Sequence, residues 1–401
     1  MSKFVLHSLY FNLVMLLLIG CTTPPSAHHS QPVPKNQAEL LPTYADIPIN
    51  HQLFLSSDTI KVPKPDALFE LSDQAQEEFL QFFYDETRQS QTADKRLLSF
   101  LERRYDNFNY FGQTLKAADT LQGELGNCLS LAILTTAYAN LVDVNTSYQM
   151  VYSVPIYELV DDILYVSSHV RTRISSPTQI DRTTGQFSFS RTYVDYFPTS
   201  ARSRGQRITE PLFISMYYQN VAAELLKEDA REEAFTYLKK ALEIAPDNVA
   251  ALNSLAVLHR RQHDEATAEK LYHFILEHYP VNLSVVVNFR EMLMLQGRND
   301  EAEKLEQMIA TIDDPNPYEW IALAQESIEL NRLHRAERYL QKAEQLAPYV
   351  DEIYFQYARI DFMRGRLTSA QRNLVTAQRH ARSKERRTLY NAKLGVLNES
   401  D

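Results

Sequence analysis

Three residues in the first half of the chain have the chemistry of a nucleophile, its base and an orienting carboxylate: Cys128, His169 and Asp195. Cys128 follows the glycine-punctuated turn 123–127 and opens the apolar run 129–141, which reads as a buried helix with Asn127 as its N-cap. A thiol in the first turn of a helix faces unpaired N–H groups and the positive end of the dipole, and both favour thiolate, the nucleophilic form. His169 falls in the alternating stretch 163–174, on the face opposite Leu164, Val166, Val170 and Ile174. Asp195 lies in a further β-rich stretch, 186–197, with 181–185 as the hairpin turn between the two. A turn centred near Arg182 sets Asp195 across from His169 on adjacent antiparallel strands. In that arrangement the imidazole accepts the thiol proton, while the carboxylate fixes its tautomer and stabilises imidazolium. The competing reading of Cys128 alone is a small buried hydrophobe.

The elements that must position these groups change type along the chain. Residues 72–83, 94–104 and 114–121 carry apolar residues at helical spacing, and the helix 129–141 follows them. From 146 onward the pattern is that of strands, the first of them ended by Pro155. A helical half followed by a sheet gives an α+β domain over about 45–205.

Taken together, Gly126-Asn127-Cys128-Leu129-Ser130-Leu131, Ser168-His169-Val170 and Tyr193-Val194-Asp195-Tyr196-Phe197-Pro198 resemble the transglutaminase-like superfamily, in its bacterial branch fused to tetratricopeptide repeats. The resemblance covers about residues 70–200 and implies a papain-like thiol fold. It also implies Cys128 as nucleophile, His169 as base and Asp195 as orienter. The backbone N–H of Cys128 is one candidate oxyanion donor. Gln122, six residues before Cys128, has the spacing of the second donor in papain-type enzymes, and Tyr110 is another candidate for that role. Relatives in this branch often carry Trp-Asp after the proline that follows the first strand; here the stretch is Val154-Pro155-Ile156-Tyr157-Glu158.

The second half of the chain is periodic. Pro246, Pro280 and Pro348 are spaced by 34 residues or twice that, and Pro315 is one residue off the missing mark. Ala234, Ala268, Ala302, Ala336 and Ala370 recur at strict 34-residue intervals, the length of a tetratricopeptide repeat. Tyr218, Leu252, Val286, Trp320 and Tyr354 hold a large position; Ala222, Ala256, Ala324 and Ala358 hold a small one where two helices approach. Five repeats are expected over 212–382, an all-α solenoid, with a capping helix and tail over 383–401. The third repeat departs from the pattern, with Arg290 and Glu306 at normally apolar places; Gly297 and Gly365 mark turns between the helices of a pair. Asn253, Arg260, Arg261, Tyr318, Phe355 and Arg359 are expected to line a concave groove, with Met216, Gln219, Met294 and Phe362 beside them. Such a groove suits an extended peptide or helix with apolar and acidic features.

At the other end, an apolar run ends in Leu18-Ile19-Gly20-Cys21, which resembles the lipobox of bacterial lipoproteins. That resemblance implies a signal peptide over 1–20, lipidation of Cys21 and, with Thr22 in place of Asp, sorting to the outer membrane facing the periplasm. A plain signal peptide is the alternative. Residues 21–44, with four prolines among 24–34, read as an extended tether; His28-His29 within it reads as solvated linker, with no further ligands nearby.

Composition excludes other classes. A net charge of −10 and no basic footprint disfavour nucleic acid as a partner. Nine glycines, against the roughly 7% of an average chain, argue for helix and against phosphate loops. No cofactor or metal is expected, since two cysteines make no metal cluster and no H-E-x-x-H occurs. The functional expectation is a membrane-anchored thiol acyl-transfer enzyme acting on a peptide or protein held by the repeats. The alternative is a catalytically silent first domain in an envelope scaffold.

Overall fold

The computed structural model describes residues 41–55, 57–105, 108, 113–151, 157–160, 163–166, 169–180, 187–194, 205–381 and 384–398. Cys21, Tyr110 and Asp195 lie outside the described residues.

Four helices open the described chain: α1 (Asp73–Phe83), α2 (Ala93–Tyr105), α3 (Ala117–Gly123) and α4 (Cys128–Asn140). Ser72 starts α1 by accepting the Ala75 N–H at 3.3 Å, satisfying one of the orphan donors of the first turn. Every residue of α4 from Cys128 to Ala139 is buried. A helix apolar all round has no face to give to water, and its neighbours enclose it. Tyr138 lies 4.9 Å from Phe79 of α1 and 5.1 Å from Phe100 of α2, ring centroid to centroid.

Among the described residues six strands follow: β1 (Asn145–Val151), β2 (Tyr157–Val160), β3 (Ile163–Val166), β4 (His169–Ile180), β5 (Phe187–Val194) and β6 (Gln206–Ile208). The main sheet has the order β5-β4-β1-β6, all neighbours antiparallel, and β2 pairs with β3 in a ladder of its own. Two expectations are corrected here. The stretch 163–174 is two strands in two ladders, because an alternating pattern looks the same on either side of a break. The β4–β5 register pairs Thr172 with Val194 and Arg173 with Tyr193, two residues away from a ladder that sets 169 across from 195. The hairpin closes on Ile180–Phe187, beyond the turn centre read from the sequence, and the ladder is irregular between Pro177 and Ile180.

Asp94 ties the helices to the sheet. It is fully buried in the first turn of α2, and its carboxylate accepts from Ser176 Oγ at 2.7 Å, Ser190 Oγ at 2.8 Å and Thr192 Oγ1 at 2.8 Å. Burial alone would raise its pKa; the hydroxyl donors outweigh burial and hold the carboxyl below its ordinary value.

The rest of the chain is an all-helical repeat array. Its antiparallel pairs are α5 (Glu210–Lys227) with α6 (Arg231–Ile244), α7 (Val249–Arg261) with α8 (Glu265–His278), and α9 (Leu283–Leu295) with α10 (Asn299–Thr311). Two more pairs follow, α11 (Pro317–Glu329) with α12 (Leu333–Leu346) and α13 (Asp351–Met363) with α14 (Leu367–His380); α15 (Lys384–Asn398) comes last. The alanines at 34-residue intervals are buried at the pair contacts, where a larger side chain would force the helices apart.

Each pair turns in the same way. Asp229, His263, Gly297, Asn331 and Gly365 all have left-handed φ, between 55° and 73°. The third repeat resolves its own irregularity, because Arg290 and Glu306 pair with each other at 2.8 Å in the core. Glu326 (2.9 Å) also contacts Arg290, while Tyr339 OH (2.6 Å) and Arg335 (3.1 Å) contact Glu306.

Leu41–Asp401 cluster as one compact unit, so the array is packed onto the α+β part. Tyr148 of β1 stacks on Phe213 of α5 at 3.6 Å, and Phe54 stacks on Phe235 of α6 at 4.0 Å. Tyr218 OH donates to the Pro63 carbonyl at 2.8 Å. Residues 206–208, left between two domains in the sequence reading, form the edge strand β6.

Candidate functional site

The turn before α4 is built from a few dependent contacts. Gly126 has φ 152°, and a Cβ there would stand 2.7 Å from Ser130 Cβ, so only glycine fits. Asn127 is extended, and its Oδ1 accepts the Ser130 N–H at 3.0 Å, the N-cap geometry. Cys128 is then the first residue of the helix and is buried. Behind the turn, Asn127 Nδ2 donates to Thr114 Oγ1 at 2.7 Å, and the Leu115 N–H donates to Ser130 Oγ at 2.8 Å. The N–H and the hydroxyl of Thr114 both donate to Glu224 Oε1, each at 2.8 Å. Glu224 belongs to α5. Its burial raises the carboxyl pKa, with the Thr114 donors and Lys227 opposing.

His169 is the first residue of β4 and pairs in register with Val151; its side chain lies outside the described residues. The buried positions of β4 are Val170, Thr172, Ile174 and Ser176, the even-numbered register, to which His169 does not belong. Gln122 is an exposed residue of α3. Among the described residues, no group of three or more His, Cys, Asp or Glu is arranged to hold a metal ion, and no helix is long and apolar enough to cross a membrane.

The groove residues divide by environment. Asn253, Arg260 and Arg359 are half-buried on α7 and α13; Asn253 Oδ1 accepts from Asn288 Nδ2 at 3.2 Å, and Arg359 Nη1 donates to Gln356 Oε1 at 2.9 Å. Four positions are corrected. Tyr318 is buried, as is Met216, so neither offers its ring or thioether to a ligand. Arg261 donates to the Leu226 carbonyl, the type of contact that satisfies the last turn of α5. Phe355 packs 5.5 Å from the Tyr390 ring of α15, because the terminal helix covers that end of the array. Phe362 is exposed.

Three further groups went unread in the sequence. Glu319 sits in a crevice between α9 and α11 lined by Leu283, Ser284, Val287, Asn288 and Leu323, and Ser284 Oγ donates to it at 3.1 Å. Burial raises its pKa, and Asp314 raises it further. His259 is fully buried on α7, with Nδ1 3.2 Å from Asp264 Oδ2 and the Phe54 ring edge-on at 5.4 Å. Burial lowers its pKa and Asp264 partly restores it. The sequence carried only a weak signal for His259: counting by 34 aligns it with Leu225 and Leu293 but also with Ser327 and Asp361. The Thr114–Glu224 contact joins residues 110 apart and left no pattern.

A family model described as tetratricopeptide repeat matches residues 237–270. That window runs from the second half of α6 through α7 into α8, one full period in a shifted phase. Among solved structures, one titled "Functional Characterization of Pseudomonas Aeruginosa pilF" is similar at 21% identity and a TM-score of 0.34, covering 46% of this chain and 84% of that one. No curated protein matches the chain. The repeat assignment of the second half therefore rests on sequence and geometry together.

Proposed function

We propose that this chain is a protein-binding scaffold in which a tetratricopeptide-type array presents a partner site and the α+β part is its fixed base. The observation that carries this reading is the run of five helix pairs, each turned at a left-handed residue 34 positions after the last, together with the repeat match at 237–270. Solenoids of this kind expose a continuous surface on the helices of one row. Here α7 and α13 offer Asn253, Arg260 and Arg359, a polar and cationic set suited to an acidic segment of a protein partner. A photo-crosslinking residue placed at Arg260 or Arg359 is expected to capture a partner that excess unlabelled protein competes away. The same residue at exposed Lys270 should not. Equal capture at all three positions would sink the reading.

A second reading, thiol acyl transfer on Cys128 with His169 and Asp195, is supported by one specific observation. The thiol opens a capped helix, behind a turn that only glycine permits. Attack by the thiolate on an acyl carbon would expel the amine after protonation and leave a thioester, which water or a second amine resolves. Its test is labelling of Cys128 by a thiol reagent near neutral pH. A rate indistinguishable from that of an unactivated buried thiol, and unaltered by His169→Ala, would leave the scaffold alone.

The Leu18-Ile19-Gly20-Cys21 run supports an envelope location by lipidation at Cys21. Cys21→Ser should move the protein from the membrane fraction to the soluble one.

A further inference from the structure

The contacts behind the Cys128 turn run in one direction. Asn127 gives its amide hydrogen to Thr114 Oγ1, and Thr114 gives its hydroxyl hydrogen and its N–H to Glu224 Oε1. Each group is donor to the next, so the chain can end only on an acceptor, and Glu224 is that acceptor. Thr114 is buried, with 4% of its surface exposed, so in the folded chain its two donors depend on that carboxylate. On the other side, Asn127 Oδ1 holds the Ser130 N–H, and Ser130 Oγ holds the Leu115 N–H. The start of α4 is thus pinned from α5, a helix of the repeat array.

We propose that Glu224 is a positioning residue for Cys128: acting through Thr114 and Asn127, it makes the first helix of the repeat array fix the turn that presents the thiol. The inference concerns how the thiol is held and rests on the second reading above only for its use in chemistry. The array is then a brace of the α+β part as well as a surface for partners, and motion of α5 is transmitted to the Cys128 turn.

The test uses the full chain. Glu224→Ala and Thr114→Val remove the end and the middle of the hydrogen-bond chain. Glu224→Gln keeps an amide oxygen able to accept both Thr114 donors. Tyr218→Phe removes a different contact between array and base, its hydrogen bond to Pro63. Labelling of the Cys128-containing peptide by a small maleimide, resolved by mass spectrometry, and amide hydrogen exchange over 125–131 are read in each variant. Glu224→Ala and Thr114→Val should speed both at least tenfold, while exchange over β1 stays within twofold of the unaltered protein. Glu224→Gln and Tyr218→Phe should match the unaltered protein.

Unchanged labelling and exchange in both Glu224→Ala and Thr114→Val overturn the proposal. So does a rise spread equally over β1, which marks general loosening. A Glu224→Gln variant as fast as Glu224→Ala overturns it too, since the acceptor is retained. Failure of the thiol reading shows elsewhere, as a Cys128 rate insensitive to His169→Ala, and leaves the exchange result standing.

Discussion

At the scale of single residues, the structure turns irregularities of the sequence into pairs. Arg290 and Glu306 each break the apolar pattern of the third repeat, and each is the other's partner at 2.8 Å. Removing one partner leaves a buried charge, so Arg290→Ala or Glu306→Ala should cost about 3–5 kcal/mol in urea denaturation. The double replacement Arg290→Met with Glu306→Leu should cost less than the two single losses added together, because the central pair goes as a unit, but it should not be neutral, since Glu326, Arg335 and Tyr339 each lose a partner. Gly126 is the second case. The 2.7 Å approach to Ser130 leaves no room for a methyl group, and Gly126→Ala should destabilise by about 1–3 kcal/mol through overpacking and backbone strain. Enhanced hydrogen exchange at the start of α4 would locate the damage; an unchanged midpoint would contradict it.

At the scale of elements, the turn between the helices of each pair is a single conformation written with different residues. Gly297 and Gly365 announce it in the sequence, whereas Asp229, His263 and Asn331 adopt the same left-handed φ unannounced. Asp, Asn and His are the side chains that tolerate this region best, so glycine is a sufficient signal and not a necessary one. A Cβ at Gly297 or Gly365 meets nothing within 4 Å, which leaves the backbone alone to object. Gly297→Ala and Gly365→Ala should each cost about 1–2 kcal/mol by thermal or urea unfolding. Asn331→Gly should be close to neutral, since the relieved φ is offset by a looser unfolded chain. The sheet shows the limit of pattern reading in another way. Alternation gave the buried face of β4 correctly, but the register of β4 against β5 follows from where the hairpin closes, and a polar stretch offers several places.

At the scale of the whole molecule, base and array share a core, and their stability should depend on pH through groups buried between elements. His259 is buried against Phe54, with its pKa lowered by burial. The unfolded chain then binds a proton more readily than the folded one, so stability is full above the ordinary His value of about 6.5 and falls as pH drops through the lowered value. Asp94, also lowered, adds a loss at more acid pH, below its ordinary value of about 3.9. Glu224 and Glu319, whose carboxyl pKa values burial raises, act in the opposite sense and add stability as pH falls. The His259 contribution is therefore read as a difference: below about pH 6.5 the slope of the unfolding midpoint against pH should be less positive in His259→Leu than in the unaltered protein. A slope unaltered by His259→Leu would assign it to other groups. The same shared core predicts that a chain ending at Ile208 does not unfold cooperatively, because Tyr148 loses the Phe213 ring stacked on it.

By itself the sequence determined the helical repeat array, its 34-residue period and its small and large positions, because local spacing alone makes neighbouring helices meet. It also placed Asn127 and Cys128 at the start of a helix buried on all sides, since capping and apolar content are local properties. Only the tertiary structure decided which groups surround that start. Glu224 reaches the Cys128 turn from 96 residues away in sequence, Asp94 gathers three hydroxyls from two strands, and Tyr318 turns inward from the groove. Contacts between distant segments leave no periodic trace, because they depend on how finished elements pack and not on the order in which their residues occur.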